Sequence, residues 1–115
     1  MDSQKKITAT VCIYSGRPNP QWKIAAKEYD KLLLIIESLP EAEPQSQPSV
    51  LGYAGITVRA GSKKIFCFNN VITVTNGNNA RGYADSKRVM ERRLVQTAPE
   101  IILEEIKRIL PEELR

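Results

Sequence analysis

Residues 51–75, LGYAGITVRAGSKKIFCFNNVITVT, decide the fold class of this chain. Two runs rich in β-branched and aromatic residues flank the turn sequence Ala60-Gly61-Ser62-Lys63, and such runs favour strands. We interpret residues 51–60 as one strand and residues 64–75 as the next, close enough to pair as an antiparallel hairpin. Asn69-Asn70 interrupts the second run, and we expect a bulge at that point.

The sequence before this hairpin predicts one strand and one helix. Apolar and polar residues alternate over Lys5–Tyr14, which indicates a half-buried strand. Apolar residues then recur every three or four positions, so we expect a helix over about residues 26–39. Its start has two alternatives: Asn19-Pro20 as cap and first turn, or a short extended segment at Trp22–Ile24 with the helix beginning near Ala26.

The remaining segments predict loops and two further helices. Residues 41–49, EAEPQSQPS, have the composition of a surface loop, and residues 76–84, NGNNARGYA, that of a turn-rich loop. A helix is expected over about residues 87–96, capped by Asp85 or Ser86. A last helix runs to Leu110 and begins at a capping box formed by Thr97 and Glu100.

These segments predict a single α+β domain over residues 1–115, long enough for one ordinary core. The expected order is β-α-β-β-α-α, with a small, mostly antiparallel three-stranded sheet and the helices packed on one face. Such a narrow sheet leaves exposed edges, so we expect that the chain can form a homodimer that covers them.

The net charge of +4 is unevenly distributed. Residues 44–84 contain no Asp or Glu, whereas the segments on either side are balanced in charge. The excess therefore lies in the predicted hairpin and the loops around it. This asymmetry favours an anionic partner, with lysines that protect a sheet edge as the alternative. The cations of the segment are Arg59, Lys63, Lys64 and Arg81.

Composition excludes several kinds of catalytic site. The chain has no histidine and two cysteines, so histidine-dependent triads and a four-ligand zinc site of nitrogen and sulfur are ruled out. Cys12 and Cys67 lie in predicted strands and are expected to be small buried hydrophobes, with their pairing left open. The carboxylates lie on or beside predicted helices, in the linker, or at Asp2, which does not favour a catalytic pair. We expect no metal and no cofactor, and a binding protein rather than an enzyme.

The sequence also predicts where the protein works. Its longest unbroken apolar run is Leu32–Ile36, too short to span a bilayer. The first residues, Met1–Lys6, lack the apolar stretch of a signal peptide. We therefore expect a cytoplasmic protein with no membrane partner.

Residues 15–22, SGRPNPQW, carry the best candidate for a recognition surface, because two prolines and a glycine stiffen a loop with distinctive side chains. The alternative is structural: Asn19 caps a helix, Trp22 anchors it in the core, and Arg17 stacks on Trp22. In the first interpretation the protein is a non-enzymatic domain that binds another protein or itself. The predicted surface comprises Arg17, Asn19, Trp22 and Tyr53, with Arg81 and Tyr83 as neighbours.

Two alternatives to this function remain at the level of sequence. The first is binding of nucleic acid or another anionic ligand through the basic region 59–93, for which basic side chains near aromatic ones are the expected composition. The second is an enzyme that polarises its substrate with Tyr, Arg and Asn side chains. The residues that would carry nucleic-acid binding are Lys63, Lys64, Arg88 and Arg92.

Overall fold

The computed structural model describes residues 6–50 and 52–115, so Lys5 and Leu51, the first residues of two predicted strands, lie outside the described residues. The strands are β1 (Ile7–Val11), β2 (Gln21–Lys23), β3 (Glu41–Ala42), β4 (Ile56–Ala60), β5 (Lys63–Phe68), β6 (Val71–Asn76) and β7 (Asn79–Ala84). The helices are α1 (Ala26–Glu37), α2 (Val89–Gln96) and α3 (Glu100–Ile106), followed by a 3-10 turn at Glu112–Leu114. In this part of the chain, all strand pairs are antiparallel and form one seven-stranded sheet in the order β2-β1-β4-β5-β6-β7-β3.

The prediction of a three-stranded sheet in the order β-α-β-β-α-α is therefore wrong, and the largest reason lies in residues 64–75. They fold as two strands and not as one strand with a bulge, because Asn69-Asn70 is a two-residue turn between Phe68 and Val71, which pair. Asn69 has a φ of 59°, a left-handed conformation that asparagine tolerates better than most residues. The pairing of β4 with β5 agrees with the predicted hairpin.

Two segments predicted as loops also contribute strands. Residues 79–84 form β7, although their composition is poor in strand-forming residues, because β7 pairs with β6 on one side and β3 on the other. Gly77 supplies the positive φ, 65°, of the turn that precedes β7. Glu41 and Ala42, within the predicted surface loop, form the edge strand β3.

The first helix follows the second of the two predicted alternatives. Gln21–Lys23 are extended and pair with β1, Trp22 lying opposite Ala9, and α1 begins at Ala26. At the second helix the N-cap residue is Arg88, with a φ of 53°, and not the predicted Asp85 or Ser86. Asp85 nevertheless accepts hydrogen bonds from the backbone N–H groups of Val89 and Met90, at 3.0 and 2.8 Å.

The third helix is shorter than the sequence predicted. It begins after Pro99 and its last residue is Ile106, so the capping box of Thr97 and Glu100 is not formed. Proline has the φ that a helix entry needs, and Thr97 has another hydrogen-bond partner at the end of α2. Within residues 6–50 and 52–115, no helix has both the length and the apolar character needed to cross a bilayer.

The two faces of the sheet differ in what covers them. One face, here called the core face, packs against the buried sides of the helices, for example Leu32 of α1 and Leu94 of α2. The opposite face, here called the open face, contributes no strand residue to this apolar cluster. The strand residues of the core face in the cluster are Ile7, Ala9, Val11, Trp22, Ile56, Val58, Ala60, Ile65, Cys67 and Ile72.

Candidate functional site

Three cations line up across the open face. Side chains alternate along a strand, so the neighbours of the core-facing residues Ala9, Val58 and Ile65 point to the open side. The register of the sheet brings one such residue from each of six strands into a single row. In spatial order the row is Lys23, Thr8, Arg59, Lys64, Thr75 and Ala80. We call Lys23, Arg59 and Lys64 the basic row.

No described strand presents a carboxylate beside the basic row. The only acidic residue in the described strands is Glu41, and its partner Tyr83 lies in register with Ile72 on the core face. None of the three cations has a carboxylate within 4.0 Å in the part of the chain that the structure describes. Neighbouring strands are about 4.8 Å apart, so the row spans about 14 Å from β2 to β5. An extended anion of that length would meet three cations and the hydroxyl of Thr8.

A segment of chain crosses the open face beside this row. Residues 44–47, PQSQ, here called the strap, carry no charged side chain. The strap is fixed to the sheet where the N–H of Gln45 donates to Thr73 Oγ1 at 2.8 Å. Gly82 allows its close approach, because a Cβ there would lie 2.7 Å from the backbone of Glu43 and of Pro44. The strap contributes to the burial of Phe66, which points to the open face and is 3% exposed.

A pocket of about 330 Å³ lies between the strap and the sheet. Its walls contain an aromatic ring, two threonine hydroxyls and one cation of the basic row, Lys64. Gln45 Oε1 is buried and has no hydrogen-bond partner within the described residues. The lining residues are Pro44, Gln45, Ser46, Gln47, Lys64, Phe66, Thr73, Thr75 and Ala80.

Two of the residues predicted for recognition hold the framework together. Trp22 is 5% exposed, and its Nε1–H donates to Thr97 Oγ1 at 2.8 Å. Asn19 Oδ1 accepts the backbone N–H groups of Ile13 and Tyr14, at 2.9 and 2.7 Å. These contacts give the loop its shape, and they occupy the indole N–H of Trp22 and the amide oxygen of Asn19.

Arg17 is the exposed member of the predicted surface. Its guanidinium carbon lies 3.8 Å from the centre of the Tyr14 ring, not over Trp22, and its side chain is 62% exposed. Glu105 lies 4.0 Å from Arg17 and accepts a hydrogen bond from Tyr14 Oη at 2.9 Å. The loop therefore presents a cation on an aromatic ring.

Tyr53 points into a different cluster. Its hydroxyl donates to Glu91, a carboxylate that is 1% exposed and that Arg88 also binds through two hydrogen bonds of 2.9 and 3.0 Å. Burial, together with the negative charge of Glu91, raises the pKa of Tyr53. Burial likewise raises the pKa of Cys67 well above its ordinary value, helped by Glu91 and Asp85. Phenol and thiol therefore stay protonated near neutral pH, and neither is an activated nucleophile. Both cysteines are free and buried.

The structure does not bring the remaining predicted residues to the loop. Arg81 and Tyr83 lie on β7, five strand spacings from β2 and so about 24 Å across the sheet. Of the alternative set, Lys64 belongs to the basic row, and Lys63 pairs with Ala60 on the other side of the sheet.

Arg88 and Arg92 line a separate pocket of about 360 Å³ beside the Asn69-Asn70 turn. There Arg88 is already bound by Glu91, and Glu113 lies 3.6 Å from it. The basic region of the sequence therefore divides into two surfaces.

Sequence reasoning missed Lys23 and Gln45, and did not select Arg59 as a site residue. The signal for Lys23 was its position beside Trp22, in the segment that one of the two interpretations made extended rather than helical. Gln45 gave no signal, because its role depends on the path of the strap. Among residues 6–50 and 52–115, no group of three or more histidine, cysteine, aspartate or glutamate side chains is placed to hold a metal ion. Comparisons of the chain with protein-family models, with curated proteins and with solved structures find no match.

Proposed function

We propose that this protein is a non-enzymatic domain that binds single-stranded nucleic acid along the open face of its sheet. The observation that carries the proposal is the basic row, Lys23, Arg59 and Lys64, set in register on a face whose described strands present no carboxylate. Such a row complements the charge of a phosphate backbone, and Thr8 within the row and Thr75 beside Lys64 add hydroxyl donors. Two free, buried cysteines support a reducing, cytoplasmic setting.

The geometry favours a single strand over a duplex. The strap stands on the same face as the row, so a rigid duplex would meet it, whereas a flexible strand can follow the row and pass beside it. A sheet face that carries a positively charged row is also a form in which proteins hold single strands.

The experiment is a titration of a short fluorescent single-stranded oligonucleotide, followed by anisotropy at several salt concentrations. Contact with three phosphates predicts a slope of about −2 for log affinity against log salt. Arg59→Ala should weaken binding about five- to tenfold and reduce the magnitude of that slope by about 0.7. Lys31→Ala is the matched control, because it removes the same charge from the exposed side of α1.

Two results would overturn this proposal. One is binding that does not change with salt. The other is a loss in Arg92→Ala as large as the loss in Arg59→Ala, which would move the interface to the pocket beside the Asn69-Asn70 turn. A duplex competitor that displaces the single strand at equal concentration would overturn the choice of a single strand.

A second candidate function rests on Arg17, which is exposed and held over Tyr14 by a loop that Asn19 braces. This arrangement suits recognition of an acidic protein surface, on another protein or on a second copy of this chain. A pull-down from native extract, with and without nuclease, separates the two candidates. A named protein retained after nuclease and lost in Arg17→Ala would support this function, and material lost with nuclease would support nucleic-acid binding.

A further inference from the structure

We propose that the pocket beside the Asn69-Asn70 turn binds a small phosphate monoester through Lys87, Arg88 and Arg92, and that Glu113 competes with this ligand. The inference goes beyond the proposed function and does not rest on it, because none of these residues belongs to the basic row. It assigns a ligand to the second of the two basic surfaces.

The pocket has the size and the charge of an anion site. Its volume of about 360 Å³ is within the usual range for small-molecule sites. Lys87 and Arg92 line it and are exposed, and neither has a carboxylate within 4.0 Å among the described residues. The charge of Arg88, by contrast, is compensated by Glu91. The pocket therefore offers two uncompensated cations, and the side chains of Asn69 and Asn70 lie in the same wall.

Arg88 is the fixed member of the site. Its Nε and Nη2 donate to Glu91 at 2.9 and 3.0 Å, and Glu91 also accepts a hydrogen bond from the hydroxyl of Tyr53. These bonds use one edge of the guanidinium, so Nη1 on the other edge remains for a ligand. A guanidinium that is already held in place loses little conformational freedom when it binds an anion.

Glu113 lies where the anion would bind. Its Oε1 is 3.6 Å from Arg88 Nη1, which is too long for a hydrogen bond, and its side chain is 65% exposed. An ion pair that is long and largely exposed contributes little to stability. The neighbouring Leu114 is buried and fixes the backbone, so only the side chain of Glu113 has to move. A phosphate can therefore displace this carboxylate at small cost.

The charges favour a phosphate monoester over a diester. A monoester carries nearly two negative charges near neutral pH and has three terminal oxygens. Once Glu113 has moved away, the two uncompensated cations match that charge. A diester, such as each link of a nucleic-acid backbone, has one charge and two terminal oxygens. The first N–H groups of α2 are not part of the site, since Asp85 already binds them.

The backbone of the pocket wall is also unusual. Among the described residues, Asn69 and Arg88 are the two non-glycine residues with a positive φ, at 59° and 53°, and both line this pocket. Asparagine tolerates this conformation, but for arginine it is costly. Residues held in such conformations are found preferentially at ligand sites, which agrees with the assignment.

The test is a titration of isotope-labelled protein with methyl phosphate and, separately, with dimethyl phosphate, followed by NMR of the backbone amides of Asn70 and Lys87. We expect the monoester to bind about five- to tenfold more tightly than the diester. Arg92→Gln should weaken binding of methyl phosphate about three- to tenfold. Arg108→Gln is the matched control, because it removes the same charge from an exposed position outside the pocket.

A second pair of variants tests the competition. Glu113→Gln should tighten binding of methyl phosphate about two- to threefold, because the competing charge is removed. Glu112→Gln is its control, since Glu112 is also exposed but does not line the pocket. Arg88 is left intact in every variant, because its loss would leave the buried charge of Glu91 unpaired.

Several results would overturn the inference. Equal affinity for methyl and dimethyl phosphate would remove the monoester preference, and a loss in Arg59→Gln as large as that in Arg92→Gln would assign the phosphate to the basic row. Unchanged affinity in Glu113→Gln would overturn the competition. A single-stranded oligonucleotide with a terminal phosphate is another source of the same group. If that phosphate strengthened binding of the strand and Arg92→Gln removed the gain, the choice of a small molecule would be wrong.

Discussion

The indole N–H of Trp22 donates to Thr97 Oγ1 across 2.8 Å, and this bond joins an edge strand to the end of a helix. The same hydroxyl donates to the carbonyl oxygen of Leu94 at 2.6 Å, so both hydrogen-bonding roles of Thr97 are used. Strand β2 has only three residues, and this bond adds to its pairing with β1. Trp22 therefore anchors β2 to the end of α2, and its fluorescence can be used to follow unfolding.

Replacing Thr97 by valine should destabilise the fold by about 1–3 kcal/mol, because the buried indole N–H would lose its acceptor. Urea unfolding, followed by the fluorescence of the single tryptophan, measures the change. Thr97→Ser retains the hydroxyl and should remain closer to the wild type. Equal stability of the valine and serine variants would contradict the role given to this bond.

Replacing Asn19 by alanine should cost about 1–3 kcal/mol, since the N–H groups of Ile13 and Tyr14 would both lose their acceptor. The free energy of unfolding checks this, and hydrogen exchange of the two amides should become faster. Asn19→Asp keeps an acceptor and serves as the control. Unchanged protection of both amides in Asn19→Ala would show that the loop does not depend on this side chain.

Stability should fall above about pH 9. The folded state raises the pKa of Cys67 and of Tyr53 above their ordinary values of 9.0 and 10.0, chiefly through burial. Below about pH 9 both groups are protonated in the folded and in the unfolded state, so the stability they contribute to the folded state is fully present. At higher pH the unfolded chain ionises first, and stability falls by up to about 1.4 kcal/mol per pH unit for each group.

Urea unfolding between about pH 7.5 and pH 10.5 measures this loss. Tyr53→Phe should reduce the slope above pH 10, because the unfolded state of the variant no longer gains stability from ionisation of this phenol. A flat profile, or one that is unchanged in Tyr53→Phe, would contradict the assignment.

Alanine at position 82 should detach β3 from β7. Its Cβ would press against the carbonyl oxygen of Ala42 and lie 2.7 Å from Glu43 and from Pro44, all of which are backbone contacts. Gly77→Ala is the comparison, because no atom lies within 4 Å of a Cβ built at that position. Only the positive φ of 65° opposes this substitution, at a cost of about 1 kcal/mol. Faster amide exchange in β3 for Gly82→Ala alone is expected. Equal effects of the two substitutions would show that the strap does not need this close approach.

The fold could be predicted from the sequence only where local pattern and tertiary structure agree. The apolar spacing over residues 26–39 was sufficient to predict α1. The turn at Gly61 was sufficient to predict the pairing of β4 with β5. Residues 64–75 contain strand formers on both sides of Asn69-Asn70, so propensity alone did not show where one strand ended. Strand β7 has little intrinsic preference for its conformation and depends on its two neighbours.

The candidate site was predictable in charge but not in geometry. The absence of acidic residues from 44–84 was visible in the sequence, and it predicted positive charge on β4 and β5 but not the contribution of Lys23. Which cations lie side by side is fixed by register, since Lys23, Arg59 and Lys64 come from three different strands. No local pattern carries that information.

The short strands at the two edges of the sheet have a consequence for solubility. Strand β2 has three residues and β3 has two, so neither offers a template on which the backbone of another molecule could continue the ladder. The run VITVT, in which every residue is β-branched and uncharged, has the composition of a fibril-forming segment, and it lies in β6 with paired strands on both sides. We expect concentrated solutions to resist aggregation for as long as both edges stay attached.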